Sequence, residues 1–389
     1  MTATPRRCPP SARLLALAIV LAVTPLFAAE AAAGPVRMNQ LQVIGTHNSY
    51  HRELSESEQA AHDGIYNGAP IYDTLLKYSH ASLPNQLGRQ GVRGLELDLF
   101  PDPAGGLYAH PLLRKRLLLS PFSDSAWYRP GVKVLHTADL DYKSTCIRLV
   151  TCLRLVRRWS RANPGHVPVL VMLELKGTDP VAGAVGGVQV PAWDGTALDA
   201  LDAEIRSVFA RNELIVPDDV RRRGLTLEAS VLRRGWPTLR RARGRVAFLM
   251  DNSPGAISAA YTAGRPSLQG RVLFTNGQPG RPDAAFVKRN QPTGANTAQI
   301  RRLVKAGYLV RTRSDEPLRT VTTGDRTQLQ AALTSGAQLV STDFPEVGMS
   351  GRYDSDFVAA LPEGGPARCN PVNSPRSCST RRVARERAR

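Results

Sequence analysis

The sequence predicts an α/β fold of the (β/α)8 TIM-barrel class, and three observations carry that expectation. Eight short apolar stretches recur along the chain, most with helical patterns between them, the order expected of strand–helix units closed into a barrel. Residues 167–176 (VPVLVMLELK) are almost continuously apolar, which suits a strand covered on both faces in a parallel sheet. Polar and ionisable residues collect at the C-terminal ends of the stretches: His47, Glu96 and Asp98, His136, Glu174 and Lys176, Asp251, Asn276, Arg313 and Asp315, and Asp343. In a barrel those ends meet at one mouth, where active sites are built. A doubly wound open sheet gathers the same ends and is the second candidate. No Gly-rich nucleotide-binding loop is present.

The chain has 389 residues, 42% hydrophobic and 22% charged, enough for one large domain or two ordinary ones. Arg6, Arg7 and Arg13 precede an apolar run over residues 14–29, and Ala31-Ala32-Ala33-Gly34 follows. This is the pattern of a signal peptide, assigned to residues 1–33. The run is short for a spanning helix, so an exported protein, periplasmic or secreted, is expected. No Cys follows the run to take a lipid anchor. Cys8 would leave with the leader, and Cys146, Cys152, Cys369 and Cys378 remain. The local pairs Cys146–Cys152 and Cys369–Cys378 each close a short loop, though three connectivities are open. No His–Cys spacing suggests zinc.

In chain order, the first strand is expected over residues 40–47 and a helix over 83–90. The second strand is 91–100, followed by an irregular insertion, 101–130, with a basic-apolar patch. The third strand is 132–136, then comes an amphipathic helix over 146–162, and the fourth strand is 167–176. A Gly/Val/Pro loop holding Trp193 leads to a helix over 196–211. Strands over 245–251, 271–276, 308–313 and 338–343 complete the eight, with helices over 296–306 and 325–335. The barrel domain is expected over residues 34–361. Residues 362–389, rich in Gly, Pro, Ser and Arg, read as a Cys-stapled tail with a disordered basic end.

The formal net charge is +18, and loss of residues 1–33 removes three Arg and one Glu to leave +16. Such a field favours anionic partners such as phospholipid surfaces and phosphate esters. The runs Arg221-Arg222-Arg223, Arg233-Arg234 and Arg240-Arg241 lie in helical patterns without interleaved aromatics. They read as solvated faces, so nucleic acid is not the expected partner, and no protein partner is indicated.

The chemistry gathers around Glu96 and Asp98. Residues two apart on a strand share a face, and two carboxylates on an apolar strand are costly to bury unless something positive lies between them. A hard cation, Ca²⁺ or Mg²⁺, takes oxygen ligands and removes that cost; the alternative is a rim pair solvated or bridged to Arg. Glu174 supplies a third carboxylate, or pairs with Lys176 on the same face. Asn48 offers an amide oxygen. His47 and His136 end strands and suit acid–base work near neutral pH; His110, in the insertion, rivals His136. Lys176 can equally hold a phosphate oxygen. A cation site flanked by two imidazoles suits phosphodiester cleavage.

Thr46-His47-Asn48-Ser49, Glu96-Leu97-Asp98, His136, the run 168–174 and Ser341-Thr342-Asp343-Phe344-Pro345 resemble the catalytic barrel of phosphoinositide-specific phospholipase C, above all its Ca²⁺-dependent bacterial branch. The resemblance spans residues 39–346. It implies a PLC-like phosphodiesterase barrel with catalytic roles for His47 and His136 and ligation of one Ca²⁺ by Asn48, Glu96, Asp98 and Glu174. Glu96 or Asp98 is then a base for the inositol 2-hydroxyl, and Lys176, Arg313 and His110 are expected to contact substrate. The products implied are diacylglycerol and a cyclic inositol phosphate. An insertion of about thirty residues separates Asp98 from His136, and the shorter gap of the eukaryotic enzymes would fit His110. The Glu174-x-Lys176 pair also resembles glycerophosphodiester phosphodiesterases, which keeps that activity as an alternative, beside a barrel that binds anionic lipid without turnover. The positive charge and the apolar loop around Trp193 suit docking on an anionic bilayer.

Overall fold

Leu41–Thr46 (β1) and Gly94–Phe100 (β2) are buried along their whole length, as strands covered on both faces must be. The structure, a computed structural model, describes residues 1–4, 34–66 and 76–386. The expected leader, beyond its first four residues, lies outside the described residues. No helix among the described residues is long and apolar enough to cross a membrane. The further strands are Lys133–Val134 (β3), Val169–Leu175 (β4), Leu214–Ile215 (β5), Val246–Met250 (β6), Leu273–Phe274 (β7), Phe286–Lys288 (β8), Leu309–Arg313 (β9), Leu339–Thr342 (β10) and Arg368–Cys369 (β11).

Eight of these run parallel in a ring. β1 pairs with β2, β2 with β4, β4 with β6 and β6 with β7. The chain after β7 bridges to β8 through Asn276 and Phe286. β8 pairs with β9, β9 with β10, and β10 returns to β1 from Val43↔Leu339 to Thr46↔Thr342. This is a (β/α)8 barrel with its strand ends at one mouth. Two members differ from those expected. Residues 132–136 do not form a stave: β3 folds back antiparallel on the end of β2, Leu99↔Val134. The missing stave is β8, three residues long and too brief for a periodicity signal.

Helices cover the outside. Leu149–Ala162 buries Leu149, Cys152, Leu153, Val156 and Ser160, the spacing of one helical face, and leaves Arg154, Arg158 and Arg161 in water. Gly195–Val208 starts on Asp194, whose side chain accepts from the Ala197 amide, satisfying one orphan donor of the first turn. Ala295–Ala306 and Thr327–Ser335 cover the later strands.

The tail is more ordered than its composition predicts. β11 lies antiparallel on β1, Leu41↔Cys369, and Cys369 is bonded to Cys378 as Cys146 is to Cys152. Val383 is buried in the main core. Glu386 accepts from Arg93 Nε at 2.8 Å and from the Val167 amide at 2.9 Å, tying the tail to the starts of β2 and β4. An acid among the arginines thus anchors it; residues 387–389 lie outside the described residues.

Gly45 and Gly94 are register partners where β1 and β2 touch. A Cβ on Gly94 would sit 2.9 Å from Gly45 Cα and collide with Leu339. Two glycines are therefore needed for the strands carrying Asn48 and Glu96 to approach so closely. Gly94→Ala should lower stability by about 1–3 kcal/mol, whereas Gly64→Ala, with nothing within 4 Å of its Cβ, should be neutral or slightly stabilising. Urea unfolding of the two variants checks this.

Candidate active site and metal centre

Parallel pairing of β2 with β4 sets the centre of the mouth. Asp98 lies directly beside Glu174 in the register, and Glu96 shares the face of Asp98 by strand alternation. Ligand oxygens of Glu96, Asp98 and Glu174 all fall within 4.8 Å of one another. Glu96 and Asp98 are buried. Burial raises both carboxyls above their ordinary values; for Glu96 the nearby Arg311 opposes the rise, and for Asp98 Lys176 does. Lys176 Nζ stands 3.2 Å from Asp98 Oδ2 and 3.4 Å from Glu174 Oε2. The buried Arg311 reaches Glu96 Oε2 at 2.9 Å.

Asn48 follows β1 in the left-handed region, φ 44°, which Asn tolerates better than most residues. Its Nδ2 donates to the Tyr78 hydroxyl at 3.3 Å, while its Oδ1 is buried with no hydrogen-bond partner. Asp98 Oδ1 is orphaned in the same way. Orphaned buried oxygens are expensive, and a hard divalent cation is the group that an all-oxygen set of amide and carboxylates satisfies best. The residues present therefore fit Ca²⁺.

Two imidazoles flank this cluster, each fixed by a carboxylate at Nδ1. His47 Nδ1 donates to Asp343 Oδ1 at 2.9 Å, leaving Nε2 3.7 Å from Glu96 Oε1. Burial holds the His47 imidazole well below its ordinary value, with Arg313 and Arg311 adding to the effect, so it is neutral at pH 7. His136 Nδ1 donates to Asp141 Oδ2 at 3.0 Å, and its charge is close enough to act on His47. Asp141 Oδ2 also takes a hydrogen bond from His51 Nε2 at 2.8 Å, and His51 Nδ1 faces the Tyr78 carbonyl at 3.0 Å. Both partners of His51 are acceptors, so both ring nitrogens donate and the ring is cationic. Burial works to raise the Asp141 carboxyl, but His51 and His136 overcome it and hold it well below the usual carboxylate range.

The chain matches the sequence model described as Ca²⁺-dependent phosphoinositide phospholipase C over residues 36–371. It belongs to that family. No curated protein matches the chain. Among solved structures it is similar to a calcium-dependent phosphoinositol-specific phospholipase C of the Gram-negative bacterium Pseudomonas sp., in apo form. The identity is 16% over 79% of this chain and 90% of that one, with a TM-score of 0.49. It is also similar to a Ca²⁺-dependent phosphatidylinositol-specific phospholipase C of Streptomyces antibioticus, at 17% identity over 82% and 98% of the two chains, with a TM-score of 0.47. As a member of the family whose model it matches, the protein is an enzyme, a phosphodiesterase of the phosphoinositide phospholipase C type.

In this phospholipase C the barrel brings Asn48, Glu96, Asp98, Glu174, Lys176, His47 and His136 to one mouth. Arg313 lies beside them, its Nη2 3.3 Å from Asp343 Oδ2. His110 is turned elsewhere: its Nε2 donates to the Leu119 carbonyl at 3.0 Å within the insertion. Trp193 is no surface anchor, being buried with its Nε1 donating to the Lys176 carbonyl at 2.9 Å. Sequence reasoning gave no role to Asp141, His51 or Arg311, and noted Asp343 as a strand end and as part of a family motif without assigning it a function. For Asp343 the signal was present in Ser341-Thr342-Asp343-Phe344-Pro345. Asp141 and His51 carried none, because their partners are set by the loops.

Ca²⁺ at about 100 times its Kd should raise the stability of the folded enzyme by about 2.7 kcal/mol. Glu174→Gln should lose most of that rise while unfolding at the same temperature as the wild type, or slightly higher, without Ca²⁺. Calorimetry with and without a chelator reads both effects.

Proposed function

We propose that this phospholipase C cleaves phosphatidylinositol-type lipids by intramolecular attack, releasing diacylglycerol and a cyclic inositol phosphate. The observation that carries the reading is the meeting of Glu96, Asp98 and Glu174 within 4.8 Å, between two imidazoles each held at Nδ1 by an aspartate. Asn48, Glu96, Asp98 and Glu174 would hold one Ca²⁺, which when bound neutralises phosphoryl oxygens and acidifies a hydroxyl near it. Glu96 or Asp98 takes the proton of the inositol 2-hydroxyl. His47, fixed at Nδ1 by Asp343, presents a neutral Nε2 beside Glu96, an acceptor placed to take up a proton as the reaction proceeds. His136, fixed by Asp141, offers its Nε2 proton to the leaving diacylglycerol oxygen. Arg313 and Lys176 add positive charge for the phosphate.

The leader pattern in residues 1–33 supports export, so that the enzyme meets its lipid outside the cytoplasm. Intact-mass analysis of protein recovered from the periplasm or medium should give a chain starting near Gly34.

Phosphorus NMR of phosphatidylinositol turnover tests the chemistry. A cyclic inositol phosphate should accumulate and a calcium chelator should abolish it. His47→Ala and His136→Ala should each lower kcat by about 10²–10⁴-fold while lipid binding persists. Glycerol 3-phosphate as the product would instead point to a glycerophosphodiesterase. Binding of lipid with no turnover would leave a non-catalytic barrel.

A further inference from the structure

We propose that Tyr78 is a positioning residue of the metal centre: its hydroxyl engages Asn48 Nδ2 and thereby reserves Oδ1 for the cation. This rests on the metal reading of the site above and adds the residue that makes Asn48 fit to be a ligand. The two ends of an asparagine amide are nearly alike in shape and opposite in kind, since one accepts and the other only donates. Asn48 stands beside the acids: the next residue, Ser49, donates its amide to the Glu96 carbonyl at 2.9 Å, and the Glu96 amide donates to Ser49 Oγ at 2.8 Å. Before a cation arrives, carboxylates favour an N–H group over an oxygen. The orientation that suits the ion therefore has to be held by a group other than the ion.

Tyr78 supplies that hold. Asn48 and Tyr78 are both buried, and Asn48 Nδ2 lies 3.3 Å from the Tyr78 hydroxyl. A phenol can accept or donate, so this contact alone permits either orientation of the amide. The other neighbour of the hydroxyl decides. Asp343 acts on it both by charge and as a hydrogen-bond partner. Asp343 is an acceptor throughout, taking hydrogen bonds from His47 Nδ1 at 2.9 Å and Arg313 Nη2 at 3.3 Å. The Tyr78 proton is thus directed to Asp343, and the phenol oxygen is left to accept from Asn48. Only Nδ2 can answer it. Oδ1 is then the buried atom without a partner, the state in which a cation finds it.

The strap that carries Tyr78 is itself fixed. The Lys77 carbonyl accepts from the Tyr353 hydroxyl at 2.7 Å, and the Tyr78 carbonyl from His51 Nδ1 at 3.0 Å. Ser79 Oγ accepts from the Glu53 amide at 3.0 Å, and His80 Nε2 donates to the His47 carbonyl at 2.8 Å. The Tyr78 ring packs on His51 at 4.7 Å and on Phe344 at 6.2 Å. Residues 77–80 therefore bind together the chain leaving β1 and the chain leaving β10. A hydroxyl on so constrained a segment sets the direction of the amide, as the outer partners of metal ligands do. Without it Nδ2 is a buried donor lacking an acceptor, and the amide gains by turning that end to the carboxylates, in competition with the ion.

Titration calorimetry with Ca²⁺ separates orientation of the amide from mere packing. Tyr78→Phe keeps the ring and removes the hydroxyl, and it should weaken Ca²⁺ binding by roughly 10–100-fold. Tyr308→Phe removes a hydroxyl that donates to Glu228 at 2.6 Å where β9 begins, away from the mouth, and should leave Ca²⁺ affinity unchanged. Asn48→Asp puts an oxygen at both ends of the side chain and tolerates the same left-handed backbone. In that background Tyr78→Phe should shift Ca²⁺ affinity by less than about threefold. NMR of the calcium-free wild type needs no variant: the Asn48 Nδ2 protons should show a nuclear Overhauser contact to the Tyr78 ring. Absence of that contact overturns the proposal, as does wild-type affinity in Tyr78→Phe. An equal loss in the Asn48 and Asn48→Asp backgrounds also overturns it, leaving the hydroxyl as packing. Failure of the wild type to bind Ca²⁺ overturns it together with the metal reading. If Ca²⁺ binds and Tyr78→Phe weakens it as expected, but the wild type does not cleave inositol lipid, the role of Tyr78 stands and the catalytic reading falls.

Discussion

Asp98 and Glu174 lie side by side on adjacent parallel strands, and Glu96 stands two residues away on the same face. Three carboxylates thus share the inside of the mouth, where each buried charge is costly and each repels the others. The surroundings are arranged around that repulsion. Lys176 reaches two of the acids and Arg311 the third. Asp251, whose charge adds to the load on Glu96, is paired with Lys288 at 2.5 Å. Asn48 adds an oxygen with nothing to accept from. Compensation by side-chain cations is incomplete, and the oxygens left over are of the ligand type that a divalent ion prefers.

The same constraint explains the imidazoles. A histidine beside buried acids would be drawn into an ion pair and lost to proton transfer. Here each one is committed at Nδ1 to its own aspartate, Asp343 or Asp141, an arrangement that suits acid–base work at Nε2. Asp343 comes from the last strand of the ring and His47 from the first, so the closure of the barrel makes that pair. Asp141 comes from the loop after β3 and is balanced by the cationic His51, so a second carboxylate is buried there without adding net charge.

The barrel was legible where strands were long and apolar, and the acidic cluster was legible because strand alternation puts Glu96 and Asp98 on one face. That Glu174 would meet them needed only the order of strands. Pairing direction was not legible: residues 132–136 have a strand's composition, but the pattern does not distinguish a stave from a hairpin arm. β8 was missed because three residues hold no period. Contacts across ring closure, such as His47 with Asp343, join residues too distant in sequence for local patterning to connect them. The Trp193 loop misled because an isolated aromatic in a Gly- and Pro-rich segment reads as exposed, whereas here its indole donates to the backbone at Lys176.

Crystallographic anomalous scattering from Ca²⁺-soaked crystals addresses the central claim most directly. One ion should be found at 2.3–2.6 Å, roughly, from Asn48 Oδ1 and from oxygens of Glu96, Asp98 and Glu174, with the Lys176 ammonium moved away from Asp98. An ion bound elsewhere, or Lys176 still bridging Asp98 and Glu174 at saturating Ca²⁺, would contradict the account.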